Sequence, residues 1–127
     1  MQLRPIGTVR SPLTDLDTAP MQAHEGAPEA WLEFDPSVLD ALDGLRAGDD
    51  IIVLTWLDLA DREVLRVHPR DDPATPMRGV FSTRSQARPN PIGLHELRIL
   101  EVDGLRVRVS ALEAIDGTPV IDVKPKL

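Results

Sequence analysis

Apolar residues recur along this chain in short alternating runs bounded by turn residues, which is the pattern of β-strands rather than of long helices. A first strand is predicted over 5–10. A second is predicted over 31–34, where Trp31 and Glu33 alternate with Leu32 and Phe34. Residues 51–57 form a continuous apolar run, which predicts a strand covered on both faces. Short strands are expected at 63–67 and 79–81. Residues 97–102 and 105–111 flank Asp103-Gly104, a two-residue hairpin signal, and Val107 and Val109 alternate with Arg106 and Arg108 in the second of them. A last strand is predicted over 119–123, after Asp116-Gly117. One short helix is predicted over 36–42: Asp35 can cap it, Pro36 suits its first position and Gly44 its exit. Val38, Leu39, Leu42 and Leu45 would form its apolar face. The expected fold is mainly β, a small antiparallel β-barrel or sandwich with one or two short helices. No repeat, low-complexity linker or boundary divides the chain, so one domain over 1–127 is expected.

The chain has 127 residues, 42% hydrophobic and 28% charged, which suits an ordinary globular domain and argues against wholesale disorder. Twelve prolines and eight glycines leave little room for longer helices. The loops over 11–28 and 68–78 are long for so small a chain, and long loops in compact domains often carry function. No apolar run is long enough for a membrane helix, and the first ten residues lack an apolar signal core. A cytoplasmic protein without membrane contact is therefore expected. Absence of cysteine excludes disulfides, thiolate zinc sites and thiol nucleophiles. With three histidines in the whole chain, no metal site is expected.

The net charge of −7 disfavours a nucleic-acid partner until its distribution is read. Residues 14–61 hold twelve acids and one base, a balance of −11; residues 62–98 hold seven bases and four acids, a balance of +3. A local site for an anionic ligand is compatible with such a chain, as are two solvated surfaces of opposite sign.

The familiar phosphate cradles GxGxxG and GxxxxGK(S/T) are absent, as are the metalloprotease HExxH and the nucleophile elbow GxSxG. Four other segments carry chemistry. In GVFSTRSQARPNPIGL an apolar strand end runs into a polar loop with Arg84, Arg88 and Asn90. Pro89 and Pro91 stiffen this loop on both sides of Asn90, which lowers the entropy lost when it grips a ligand. Its guanidinium groups can clamp a carboxylate or a phosphate, or pair with the acidic half of the chain. DGTPVIDVKP is a sharp turn entering an apolar strand, with Asp122 beside Lys124 as a surface pair or as a base. Asp58 and Asp61 lie where the buried run leaves the core, and RPIGTVRSP reads as a strand followed by a turn.

Together and in this order, PIGTVRSP, APMQ, GVFSTRSQARPNPIGL and DGTPVIDVKP resemble the TsaA/TrmO-like family over essentially the whole chain. That resemblance implies a β-barrel, S-adenosylmethionine-dependent methyltransferase. The implied reaction is N6-methylation of N6-threonylcarbamoyladenosine at position 37 of tRNA, beside the anticodon. By position, it implies a cofactor site from Met21, Gln22, Ala23, Asp58, Leu59, Arg84, Leu94, Asp116, Gly117, Thr118 and Pro119. Asp116 would hold the ribose hydroxyls or the amino group, Arg84 the carboxylate, and Leu94 would flank the adenine. Arg88 and Asn90 would orient the acceptor, and Asp122, or next Asp58, would take the proton lost from the methylated nitrogen. One small acidic barrel covers an anticodon loop poorly. A homodimer that pools arginines from two chains is therefore expected, with salt-sensitive RNA binding.

The chain departs from the family's usual residues at Met21, Asp58, Gln86 and Lys126. These departures keep two other readings open. One is a methyltransferase for a different small-molecule or nucleotide acceptor; the other is a non-enzymatic module that binds the cofactor.

Overall fold

The computed structural model describes residues 1–14 and 26–127. Six antiparallel strands close into a barrel. β1 is Gly7–Arg10, β2 Ala30–Phe34, β3 Asp50–Trp56, β6 Ile92–Asp103, β7 Arg106–Val109 and β8 Pro119–Pro125, in the spatial order β1-β2-β7-β6-β3-β8. Between β3 and β6 in the sequence, and outside the barrel's sheet, comes a separate two-stranded ribbon, β4 Arg66–Val67 and β5 Arg78–Gly79. Closure leaves no edge strand in the barrel to recruit another chain.

Alternation sends one side chain in two toward the interior. Val9, Leu32, Ile51, Val53, Ile99, Val107, Val109 and Val120 are buried there, and Leu112 is buried with them beyond the end of β7. Gly7 is required by close approach: a Cβ there would stand 2.6 Å from the Glu33 carbonyl oxygen across the β1–β2 pair. On the outside, Trp31 is faced by the guanidinium groups of Arg106 and Arg108, 4.3 and 6.0 Å from its ring centroid. Arg106 and Arg108 also reach Glu33, Glu29 and Glu101, which explains why charges alternate with valines in β7.

The helix over Pro36–Leu42 forms where expected, but wound as a 3-10 helix, as are the short turns Pro69–Asp71 and Val80–Ser82. Asp35 Oδ1 accepts the Ser37 N–H at 2.9 Å, and Pro36 occupies the first turn. Leu42 is buried and Val38 and Leu45 pack on the core, while Leu39 stays half exposed.

Four strand expectations change. The 51–57 run is covered on one face alone: Ile51, Val53 and Thr55 are buried, whereas Ile52, Leu54 and Trp56 are partly exposed on the barrel's outside. A closed barrel has one interior, and nothing among the described residues fully covers its outer wall there. β6 begins at Ile92, five residues before the expected start, because the residues after Pro91 pair with Trp56 and its neighbours. The β6–β7 turn is Gly104-Leu105, since Asp103 pairs with Arg106; Gly104, at φ +60°, leads the turn. The 63–67 and 79–81 expectations shrink to the two-residue β4 and β5, and Val80–Ser82 coils instead.

Candidate functional site

The loops at one end of the barrel enclose two adjoining clefts. The smaller, about 20 Å³, lies between residues 57–60, leaving β3, and residues 113–118, entering β8; Leu57, Asp58, Leu59, Ala60, Gln86, Glu113, Ala114, Ile115 and Thr118 line it. The larger, about 730 Å³, runs from the same 59–60 corner under the 82–87 loop to His68, Arg70, Asp71 and Arg78. Leu59, Ala60 and Gln86 border both.

The 116–119 turn is held by the strand it follows in space. The Asp116 N–H donates to the Leu13 carbonyl at 2.6 Å, and the Gly117 N–H donates to Val9 at 2.8 Å. Asp116 Oδ1 accepts the Ser11 N–H at 3.0 Å. Gly117 takes φ +87°, a region that favours glycine. The Thr118 hydroxyl donates to the Ile115 carbonyl at 2.7 Å, which closes the turn. PIGTVRSP and DGTPVIDVKP, far apart in sequence, thus form one structural unit.

The 83–91 loop is knitted by arginines rather than by strand pairing. Arg88 Nη1 donates to the Thr83 and Ser85 carbonyls at 2.9 and 3.1 Å, and its guanidinium lies 5.9 Å from the Phe81 ring centroid. Arg62 donates from Nε to the Pro89 carbonyl at 2.7 Å and from Nη2 to Asn90 Oδ1 at 3.2 Å, while stacking 5.2 Å from the centroid of Trp56. In the larger cleft His68 Nδ1 donates to the Thr75 carbonyl at 2.8 Å, which fixes the ring orientation. Arg70 and Asp71 both adopt left-handed backbone, at φ 55° and 56°, a strained conformation for side-chain-bearing residues.

Of the expected site residues, the structure gathers Asp58, Leu59 and Thr118 in the smaller cleft and Leu59 and Arg84 in the larger. Arg84 is exposed and makes no ion pair among the described residues, so its charge is available to a ligand. Asp116, Gly117 and Pro119 form the turn beside the smaller cleft without lining it. Arg88 and Asn90 line neither cleft and serve the loop's own cohesion. Leu94 lies on the barrel's outer face, 41% exposed, in register with Leu54 and Asp122. Asp122 shares that row and pairs with Lys124 Nζ at 3.1 Å. Met21, Gln22 and Ala23 lie outside the described residues. Among the described residues no three His, Asp or Glu side chains converge as a metal site, and no helix is long and apolar enough to cross a membrane.

Comparison with known proteins decides the family. The family model for the tRNA-methyltransferase O N-terminal domain matches residues 8–127. The chain belongs to the tRNA-methyltransferase O family. A probable S-adenosyl-L-methionine-binding protein of Methanothermobacter thermautotrophicus is 49% identical over 125 residues, which cover 98% of this chain and 89% of that protein. An S-adenosyl-L-methionine-binding protein of Archaeoglobus fulgidus is 44% identical, with 98% of this chain and 88% of that protein covered. The crystal structure of TrmO from Pseudomonas aeruginosa superposes with a TM-score of 0.77 at 28% identity, and a second TrmO crystal structure with 0.78 at 31%. All of this chain is covered in both, but 56% and 57% of those chains. The tRNA-methyltransferase O domain described here therefore spans a little over half the length of the solved TrmO chains.

Proposed function

We propose that this chain is an S-adenosylmethionine-dependent methyltransferase acting on tRNA, with N6 of threonylcarbamoyladenosine at position 37 as acceptor. The observation that carries the reading is the convergence of Asp58, Leu59, Arg84 and Thr118, from three separated segments, on adjoining clefts at one barrel end. The larger cleft has the room for the cofactor. Leu59, Val64 and Val67 offer it apolar walls, and Gln86, which borders both clefts, offers a polar partner, with Asp58 beside it in the smaller one.

When bound, the cofactor supplies a methyl group activated on a sulfonium. The chain must orient, exclude water and take up a proton. Arg84, without an ion pair among the described residues, suits a carboxylate. Asp116 has one oxygen engaged by Ser11 and a second, without a partner among the described residues, for a hydroxyl or amine donor. The stiff loop that Arg62 and Arg88 hold together keeps the acceptor aligned, which is the main contribution a protein makes to such a transfer. Of the two carboxylates considered for the departing proton, Asp58 borders the cleft, whereas Asp122 pairs with Lys124 on the outer wall. Asp58 is therefore the better choice. The reading includes a homodimer, supported by Ile92 and Leu94 exposed side by side with Leu54 and Trp56 on that wall.

Calorimetric titration with S-adenosylmethionine tests the site. Micromolar-range binding is expected, weakened at least about tenfold in Arg84→Ala and Asp116→Ala, as for loss of a charged hydrogen-bond partner. Transfer of labelled methyl to tRNA from a strain lacking the enzyme then tests the acceptor. Cofactor binding without transfer to tRNA would favour the module reading, which the relatives' names as binding proteins also suit.

A further inference from the structure

The apolar interior of the barrel ends, beneath the smaller cleft, in three polar side chains that the cofactor residues above do not include. Thr55 is fully buried and His95 is 5% exposed. The Glu113 side chain is 11% exposed. Thr55 Oγ1 lies 2.7 Å from His95 Nε2, and His95 Nδ1 lies 2.6 Å from Glu113 Oε1. The two ring nitrogens are thus each engaged, one by the Thr55 hydroxyl and one by the Glu113 carboxyl.

The packing around this chain of bonds is tight. A Cβ on Gly93 would stand 2.5 Å from Thr55 Oγ1 and 2.8 Å from His95 Nε2, so the bare backbone of β6 makes room for the pair. Glu113 spends one oxygen on His95. Its Oε2 has no protein partner among the described residues, and no buried side-chain oxygen or nitrogen among them lacks one. Oε2 is therefore not fully buried, and Glu113 lines the smaller cleft with Asp58, Gln86 and Thr118. No arginine or lysine among the described residues pairs with it. A nearly buried carboxylate held by an imidazole, with no arginine or lysine beside it among the described residues, gains from a positively charged ligand.

We infer that Glu113, held by His95 and Thr55, reads ligand charge where this small cleft meets the larger one and binds a cationic sulfonium more tightly than the neutral thioether left after methyl transfer. The inference rests on the cofactor site proposed above and adds to it a specificity-determining residue. Its consequence is release of the neutral product, since the charge that Glu113 holds is lost with the methyl group.

The test is a set of calorimetric affinities for three ligands: S-adenosylmethionine, S-adenosylhomocysteine, and a non-reactive analogue with an ammonium in place of the sulfonium. In Glu113→Gln, which keeps the shape, both cationic ligands should weaken about tenfold or more, while the neutral ligand changes less than about threefold. If Glu113→Gln does not fold, Thr55→Val keeps the carboxylate and removes one strut. It should show the same selective loss at about threefold. A fall that is equal for all three ligands overturns the charge-reading role, as does no fall at all. Failure of the unaltered protein to bind any of them overturns the cofactor reading itself, and is distinguished by that control.

Discussion

The barrel wall and the segment 57–91 that crowns it are held together in different ways. In the wall, backbone pairing closes a ring, and valines, leucines and isoleucines fill the interior. In the crown, two two-residue strands are all the regular pairing among its described residues. Its shape comes instead from side chains gripping backbone carbonyls: Arg62 on Pro89, Arg88 on Thr83 and Ser85, His68 on Thr75. A wall made cooperatively resists local opening, whereas a crown made of single bonds opens in parts. The division suits a site, because rigid strands fix the ends of loops whose polar groups stay free for ligands.

The wall is weakened most where it loses volume. Leu32 is fully buried at the centre of β2, and Leu32→Ala removes its contacts and leaves a cavity. Unfolding free energy should fall by about 3 kcal/mol, in the usual range for a buried leucine. Denaturant titration followed by separate probes of wall and crown checks it. Both should lose stability together; loss confined to β2 would mean that the ring is not one cooperative unit.

Arg62→Ala addresses the crown. It removes two hydrogen bonds to the 89–90 backbone and side chain, and the stacking on Trp56. The expected global cost is about 1 kcal/mol, the scale of exposed interactions of this kind. The sharper readout is amide exchange, which should quicken over 83–91 while β1, β2 and β7 remain protected. Equal acceleration everywhere would erase the distinction between the two regions.

What the sequence disclosed divides along the same line. The wall was legible because alternation is local: the valines of β7, the capped helix after Asp35 and the strand after the 116–117 turn all lie near their predicted bounds. The continuous apolar run of β3 misled, since apolar composition does not reveal whether a second layer covers the outer face. In the crown, residue types were informative and partners were not. The RPNPIG segment was recognisable as a stiff loop, but Arg62 as its anchor is visible only once 62 and 89–90 are adjacent in space. His95 and Glu113 were missed for the same reason. His95 sits in a strand whose first residues looked like loop, and Glu113 precedes a turn that drew attention to Asp116. The alternation Gly93, His95, Leu97, Ile99, read inward from the PIG motif, was the available signal for a buried histidine.

The smallest effect belongs to the wall's polar rim. Asp50, at the start of β3, accepts from Arg98 Nε at 3.1 Å across the β3–β6 pair. The hydrogen bond from Arg98, and then the guanidinium charge, hold the Asp50 carboxyl below its ordinary value of 3.8. A carboxyl held lower in the folded chain than in the unfolded one contributes stability that is complete above its unfolded value. That contribution drains as pH falls below about 3.8 and through the folded value. Both partners are more than half exposed, so solvent screening keeps the contribution small. Asp50→Asn should therefore lower the thermal midpoint slightly at pH 7 and not at all once the acid limb has been passed. Added salt should shrink the difference at pH 7 as well. A difference that persists unchanged at the acid end would assign Asp50 a packing role in β3, and would place the rim with the wall's shape rather than with its charge.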